Sequence, residues 1–405
     1  MPVEQSAIPE SPAEAFVRAR PLRVAFVVHT FEVGGIERSV ARLASRIDRR
    51  RFEPQIVCLD RNGQAAQWLE TDDVPIFELK KRAGNDLGLV FRLARLLRHE
   101  RIDIVHSHNW GTLVETSLAR RRARVPVHVH AERGTVLGSV EIRGLRGFLR
   151  AAAMRWAVNR TSAVVSNAVA VARRAAGISG LPLETIQIIP NGLDAPAAVS
   201  ASAVRETRSR WGLPQEARVV GSIGRLAEVK NFASAITAIS QLSEADSNVH
   251  LLLVGDGPER TRLEDLARTL GIAHRIHFAG FHDDVNSFLA AMDVYINCSH
   301  SEGMSQSLVE AMAAGLPIIA TEVGDNALLV GGERSCGVVV RPGDPEAIAA
   351  AIKMLTNDAE LRGDFGRRAR ARFAERYSMS RMVESYEKLY SSMYRISPRP
   401  GLNSR

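Results

Sequence analysis

Val294-Tyr295-Ile296-Asn297-Cys298 is an apolar run, and three residues later comes Ser301-Glu302-Gly303-Met304-Ser305-Gln306-Ser307-Leu308-Val309-Glu310-Ala311-Met312-Ala313-Ala314-Gly315-Leu316-Pro317. The first run reads as a strand. The second reads as a helix over Gln306–Ala314, stopped by glycine and proline. Two glutamates stand eight residues apart. Eight residues along a helix is a little over two turns, so both carboxylates are expected to project the same way from one strand-to-helix corner. Such corners are where open α/β sheets bind ligands. Carboxylates accept hydrogen bonds from hydroxyls, and a spaced pair suits a sugar together with a ribose.

The same alternation extends outward through the chain. Leu22–Val28 reads as a first strand, followed by a glycine turn and a helix over Ile36–Ile47. Strand-like runs recur at Pro54–Leu59, Val74–Leu79, Ile102–His106, Val125–Val129, Ala163–Ser166 and Ile186–Ile189. Pro190-Asn191-Gly192-Leu193-Asp194 breaks the pattern, and Ala195–Ala203, uncharged and rich in Ala, Pro, Val and Ser, reads as a linker. Strands are then expected at Arg218–Ile223, Val249–Val254, Arg275–Phe278, Asp293–Asn297, Pro317–Thr321 and Gly337–Val340, with helices at Phe232–Leu242 and Glu259–Leu270. Short strands alternating with helices build parallel sheets through right-handed crossovers. The division expected is a flexible tail over 1–20, a first domain over 21–195, a second over 196–375, a helix over 376–394 packing back on the first domain, and a tail over 395–405.

Composition narrows the class. The 405 residues favour two ordinary domains, and 45% hydrophobic with 24% charged residues suits a soluble globular protein. No run of 18 uncharged apolar residues occurs, and the first twenty residues do not resemble a signal peptide. Three widely spaced cysteines, Cys58, Cys298 and Cys336, suit a reducing cytoplasm better than disulfides or zinc. Residues 1–200 hold 29 Lys and Arg against 20 Asp and Glu, whereas residues 201–405 hold 24 against 25. A basic first half suggests an anionic partner, such as a phospholipid surface or a lipid-linked phosphate. Nucleic acid is disfavoured, because five tyrosines and four tryptophans supply no stacking platform and no finger or basic-zipper pattern is present.

Four further segments can carry chemistry. Phe31-Glu32-Val33-Gly34-Gly35-Ile36-Glu37-Arg38 joins the first strand to the first helix. Its paired glycines let the backbone approach a ligand, and the helix N-terminus offers N–H groups to an anion. Gly224-Arg225-Leu226-Ala227-Glu228-Val229-Lys230-Asn231 leaves the first strand of the second unit, where Arg225 and Lys230 could grip phosphate oxygens. Val254-Gly255-Asp256-Gly257-Pro258-Glu259 is a second glycine turn, with Pro258 fitting the first helical position. Ile104-Val105-His106-Ser107-His108-Asn109 and Val127-His128-Val129-His130-Ala131-Glu132-Arg133-Gly134 put histidines at two successive strand ends, with His128 and His130 on one face. A polar cleft lining is expected of them rather than a metal site.

Taken in order, these motifs resemble glycosyltransferase family 4, the retaining "glycosyl transferases group 1" of the GT-B fold. The resemblance runs from about Leu22 to Tyr394 and extends to bacterial exopolysaccharide sugar transferases through Ile-Val-His-Ser-His-Asn-Trp. It implies two Rossmann-like, doubly wound parallel-sheet domains facing across a cleft. It implies that Arg225 and Lys230 hold the diphosphate of a UDP-sugar or GDP-sugar and stabilise the leaving group. Glu310 would accept from the ribose. Glu302 would accept from the transferred sugar, with the backbone of Gly303, Met304, Ser305 and Gln306 alongside. Gly34 and Gly35 would let the first domain approach the diphosphate or the acceptor. Relatives carry a histidine before a glycine where this chain has Arg133-Gly134, so the group facing the reacting sugar is either His130 or Arg133. The resemblance further implies no bound metal or cofactor, retention at the anomeric carbon by same-face attack, and a glycan or lipid-linked acceptor used in cell-surface polysaccharide synthesis. Cytoplasmic placement is expected, with peripheral contact of the basic domain to anionic membrane. A nucleotide-sugar epimerase or phosphorylase of the same fold, and a non-catalytic nucleotide-sugar-binding subunit, are the alternatives.

Overall fold

The apolar runs become strands of two parallel sheets. The computed structural model describes residues 20–84, 86–133 and 144–396. The first domain runs β1 (Leu22–Val28), α1 (Gly35–Arg46), β2 (Phe52–Cys58), β3 (Ile76–Glu78), α2 (Leu87–His99), β4 (Ile104–His108), α3 (Trp110–Ala123), β5 (Val127–Glu132), α4 (Gly144–Val158), β6 (Ala163–Ser166), α5 (Val169–Ser179) and β7 (Ile186–Ile188). Its sheet has the order β3-β2-β1-β4-β5-β6-β7. After α6 (Ala201–Arg210), the second domain runs β8 (Arg218–Ile223), α7 (Phe232–Ser240), β9 (Val249–Val254), α8 (Arg260–Thr269), β10 (Ile276–Gly280), α9 (Asn286–Ala291), β11 (Val294–Asn297), α10 (Gln306–Ala314), β12 (Ile318–Thr321), α11 (Asn326–Val330) and β13 (Gly337–Val340). The order of its sheet is β10-β9-β8-β11-β12-β13. Three helices end the described chain, α12 (Pro345–Asn357), α13 (Ala359–Arg376) and α14 (Met379–Ile396).

Strand alternation covers both faces of each sheet. Val24, Phe26 and Val28 pack with α1 and α14, while Ala25 and Val27 pack with α2 and α3. In the second sheet Val219 and Tyr295 join the cluster of α9, α10 and α13, and Val220 and Val294 that of α7, α8 and α12. Strands buried on both faces read as unbroken apolar runs, which is why the sequence pattern was strong there.

Strand order reverses between β1 and β4, and again between β8 and β11. The loops leaving those strands form the crevice expected at a topological switch point. The two domains meet across it. The Asp325 carboxylate accepts from the backbone N–H groups of Val169 and Ala170 at 2.6 and 2.7 Å, capping α5 from the other domain. A carboxylate at a helix N-terminus is favourable for both hydrogen bonding and charge.

The chain passes between domains twice at one place. The Leu193 N–H donates to Tyr377 and the Met379 N–H to Leu193, at 2.9 and 2.8 Å. A Cβ on Gly192 would lie 2.7 Å from Met379 Cα, so a side chain is excluded there. Beyond this crossing α14 returns to the first domain and buries seven side chains, among them Tyr386 and Tyr390.

Several expectations need correction. α6 begins at Ala201, inside the expected linker, because the Ser200 hydroxyl accepts from Ala203 N–H and caps it. α8 begins at Arg260, which leaves Pro258 in the preceding turn. β4 and β5 extend two and three residues past their expected ends, so His108 and His130 lie within strands. Except for Arg20, Arg395 and Ile396, the tails expected at 1–20 and 395–405 fall outside the described residues, as does Gly134.

Candidate active site

Glu302 and Lys230 meet at the second domain's switch point. Lys230 Nζ lies 2.7 Å from Glu302 Oε1, which also accepts from Ser299 Oγ at 2.7 Å and Asn297 Nδ2 at 3.3 Å. The Glu302 side chain is only 10% exposed. A carboxylate so far from water has its lone pairs met by protein donors instead. A second layer holds the donors. Asn297 Nδ2 also donates to Ser305 Oγ, its Oδ1 accepts from Asn326 Nδ2 at 3.1 Å, and Thr321 Oγ1 donates to the Ser299 carbonyl. The helical spacing expected for the glutamates does not hold. α10 spans Gln306–Ala314 as expected, so Glu302 sits in the loop before it, outside the helical repeat, and Glu310 in the helix's second turn.

Glu310 has different neighbours. Burial raises its pKa, and Arg38 and Arg42 of α1, across the cleft, partly offset that rise. Arg42 is itself lowered by burial. The two arginines are spaced i and i+4 on α1, so both reach the same side. Sequence reasoning missed Arg38, Arg42, Asn297, Ser299, Asn326 and Asp325. The arginine spacing directly after the glycine pair was the one available signal.

The glycine loops perform different tasks. Gly34 is the N-cap of α1 and offers no side-chain cap of its own, and the Glu37 carboxylate folds back over it at the helix start. Gly35 has open space where a Cβ would stand. In the second domain the Gly255 and Gly257 backbones press against the Arg225 loop. A Cβ on them would meet the Gly224 and Leu226 carbonyls at 2.0 and 2.4 Å. This contact pins Arg225, which is exposed at the rim of a hollow of about 360 Å³. Val254, Gly255, Phe281 and His282 complete its wall, and the Phe281 ring is 71% exposed. Gly303 approaches α5, where an added Cβ would lie 3.3 Å from Val171. Met304 packs on the second core beside Ser305 and Gln306, the N-cap and first residue of α10.

His130 and Arg133 are both buried. Arg133 donates to Ser39 Oγ and, at 2.7 Å, to the Tyr386 hydroxyl, with a longer bond of 3.4 Å to Asn191. Its guanidinium therefore joins α1 and α14 to the inter-domain junction. Ser107 Oγ sits between two rings, 2.8 Å from His128 Nε2 and 2.8 Å from His130 Nδ1. His106 Nδ1 lies 2.7 Å from the Tyr390 hydroxyl. Among the described residues His130 Nε2 has no hydrogen-bond partner, and Glu132 Oε2 at 3.9 Å is beyond hydrogen-bonding reach. Burial therefore decides the protonation of these rings. It pushes His130 down to about 3 and holds His106, His108 and His128 well below the ordinary histidine value.

Unfolded histidine titrates near about 6.5, so below that pH the unfolded chain binds protons that the folded one refuses. Stability should fall as pH drops from about 6.5 towards the depressed folded values, with each histidine contributing up to about 1.4 kcal/mol per pH unit. Melting temperature should fall steeply between pH 6.5 and 5, before most carboxylates titrate. A flat profile there would contradict neutral buried rings.

Among the described residues no group of three or more His, Cys, Asp or Glu is placed to hold a metal ion.

Two family models divide the chain between them. "Glycosyltransferase Family 4" matches residues 33–197 and "Glycosyl transferases group 1" matches residues 203–372. A 2-deoxystreptamine glucosyltransferase of Streptomyces kanamyceticus is 30% identical over 71% of this chain and 80% of its own length. The UDP-Gal:alpha-D-GlcNAc-diphosphoundecaprenol alpha-1,3-galactosyltransferase of Escherichia coli is 24% identical over 89% of this chain and 94% of its own. Among solved structures, Anabaena HepE in complex with UDP superposes with a TM-score of 0.75 at 23% identity, over 92% of this chain and all of that one. WaaG, a glycosyltransferase involved in lipopolysaccharide biosynthesis, gives 0.65 at 19% identity, over 91% of this chain and 99% of its own. Both likenesses bear on the fold, which is GT-B. The two sheets, the crevice at their switch points and the matched models together place this chain in the glycosyltransferase family of group 1 transferases.

Proposed function

We propose that this glycosyltransferase moves a sugar, with retention, from a UDP-sugar or GDP-sugar to a hydroxyl of a glycan or lipid-linked acceptor in cell-surface polysaccharide synthesis. The observation that carries the proposal is the Lys230–Glu302 pair at 2.7 Å, held at the switch point beside Arg225. Lys230 and Arg225 hold the diphosphate and offset charge on the leaving oxygen, where fixed cations contribute most. With donor bound, Lys230 turns part of its charge from Glu302 to phosphate, and Glu302 accepts from the sugar. Glu310 accepts from the ribose between α10 and α1. The exposed Phe281 ring and the adjoining hollow suit a nucleobase. The glycine turn at Gly34 and Gly35 meets the diphosphate or acceptor from the other side, and the backbone of Gly303 to Gln306 lines the sugar.

Of the pair considered for the reacting sugar, we assign His130. Arg133 is committed to Ser39 and Tyr386, whereas His130 Nε2 has no bond to give up among the described residues. No metal or cofactor is assigned. A lipid-linked acceptor draws support from the name of the Escherichia coli relative, and a small aglycone from that of the Streptomyces one. Three buried thiols, with Cys58 and Cys298 pushed up to about 12 by burial, suit a reducing cytoplasm.

Thermal stabilisation of the purified chain by UDP, GDP and ADP and their sugar conjugates tests the reading. One nucleotide series should raise the melting temperature, and Glu310→Ala and Lys230→Ala should each abolish the shift. Stabilisation that survives both variants would place the donor elsewhere.

A further inference from the structure

Helices α2, α3, α4 and α5 lie side by side on one face of the first sheet. Their described side chains include ten arginines, Arg92, Arg95, Arg98, Arg120, Arg121, Arg122, Arg150, Arg155, Arg173 and Arg174, of which Arg92 pairs with Asp86 at 2.7 Å, and one acidic residue, the half-buried Glu115. Solvated helices ordinarily mix both signs, so this layer departs from an ordinary surface. The departure is compounded by apolar exposure. Leu87 and Phe91 of α2 are 80% and 55% exposed, and Leu118 of α3 and Phe148 and Leu149 of α4 are open to solvent as well. Five of the thirteen large apolar side chains exposed among the described residues thus lie on three adjacent helices.

Basic and apolar groups interleave here. The Arg122 guanidinium lies 4.6 Å over the Phe91 ring, and Arg98 donates to the Arg122 carbonyl. At the far ends of α3 and α4 a hollow of about 380 Å³ is walled by Arg120, Arg121, Arg124 and Arg160 around Val125. Arg120 is structural, since its guanidinium donates to the carbonyls of Val125, Pro126 and Arg160. Arg121 and Arg124 are exposed, and among the described residues neither has a carboxylate within ion-pairing distance. No described helix is long and apolar enough to cross a membrane, so this surface can lie on a bilayer but does not span one.

We propose that the α2–α4 face, with the arginine hollow at its lower end, docks on an anionic phospholipid bilayer. Phe91, Leu87 and Leu118 enter the headgroup boundary, the arginines pair with lipid phosphates, and the hollow between α3 and α4 receives a headgroup. Charge complementarity selects this occupant, and the apolar ridge separates it from nucleic acid, which would use the arginines alone. The cleft opens along the C-terminal edge of the parallel sheet, the edge at which α2 follows β3 and α3 follows β4, so a lipid-borne substrate would approach along the rim of this face. The surface does not depend on the donor assignment.

Flotation of the full-length chain with phosphatidylcholine vesicles, with and without 30% phosphatidylglycerol, tests it. Binding should require the anionic lipid and weaken in high salt. Arg121→Ala with Arg124→Asn, the asparagine chosen because residue 124 has a left-handed backbone, should lower the partition constant by about 30-fold. Phe91→Ser with Leu118→Ser should lower it by about tenfold or more at unchanged charge. All four sites are remote from the donor cleft, so nucleotide-induced thermal shifts should be unchanged, and loss of those shifts alone would count against the donor reading only. Equal binding to neutral vesicles would overturn the proposal. So would wild-type binding by either double variant, or retention on duplex DNA that outcompetes the vesicles.

Discussion

Lys230→Ala should lower kcat/KM for transfer by about 10²- to 10³-fold, the loss seen when one fixed charge-stabilising donor is removed from a closed site. Two consequences combine in this variant. The leaving diphosphate loses a cation, and Glu302, buried on most sides, loses the one charged partner among its three donors. Lys230→Arg should recover only part of the rate, because a longer planar fork cannot occupy the place of a compact ammonium that lies 2.7 Å from Oε1. Melting temperature should move little beside the activity, since Ser299 and Asn297 still anchor the carboxylate. Steady-state rates with the nucleotide sugar identified by thermal shift decide the matter. Activity within about threefold of wild type in Lys230→Ala would remove this lysine from the machinery.

The parts of this molecule that were legible in sequence share a physical cause. β1, β6, β8, β9 and β13 are buried on both faces or flanked by turn residues, so their boundaries follow directly from apolar runs. The expected linker covers only the first three residues of α6 and no element is expected over the rest, because none of its residues is buried and a helix with no apolar stripe has no period to detect. The corner at Glu302 was visible, but its geometry was misjudged. The helix begins at Gln306 as its pattern implies, but helical spacing does not reach back to Glu302, which bonds from Asn297, Ser299 and Lys230 hold in the loop, and no local rule encodes the bond from Lys230, 72 residues away. Arg133 is the sharpest case. Its partners Ser39 and Tyr386 are 94 and 253 residues distant in sequence, so only the folded chain shows that its guanidinium faces α14. The same contact makes α14 more than a terminal appendage.

Removal of α14, by ending the chain after Tyr377, should abolish folding of the first domain. Seven side chains of this helix are buried, Met379, Met382, Val383, Tyr386, Leu389, Tyr390 and Tyr394. At about 1.5–3 kcal/mol for each fully buried large side chain, their loss amounts to about 10 kcal/mol or more. That is comparable with the whole stability of a domain, about 5–15 kcal/mol. Exposure of the β1 face is only part of the cost. Arg133 and His106 would each lose a tyrosine hydroxyl inside the protein, and an orphaned buried polar group costs a further 1–3 kcal/mol, roughly. The second domain keeps its own two cores, to which α14 contributes nothing. Hydrogen exchange should therefore show β1 and β4 unprotected while β8 and β11 stay protected, with most of the truncated protein insoluble. Tyr390→Phe isolates the polar component, and should lower stability by about 1–2 kcal/mol through the His106 ring left without its partner. A soluble truncated chain with native protection across β1 would show that the first sheet carries its own core, and α14 would then be a lid rather than a wall.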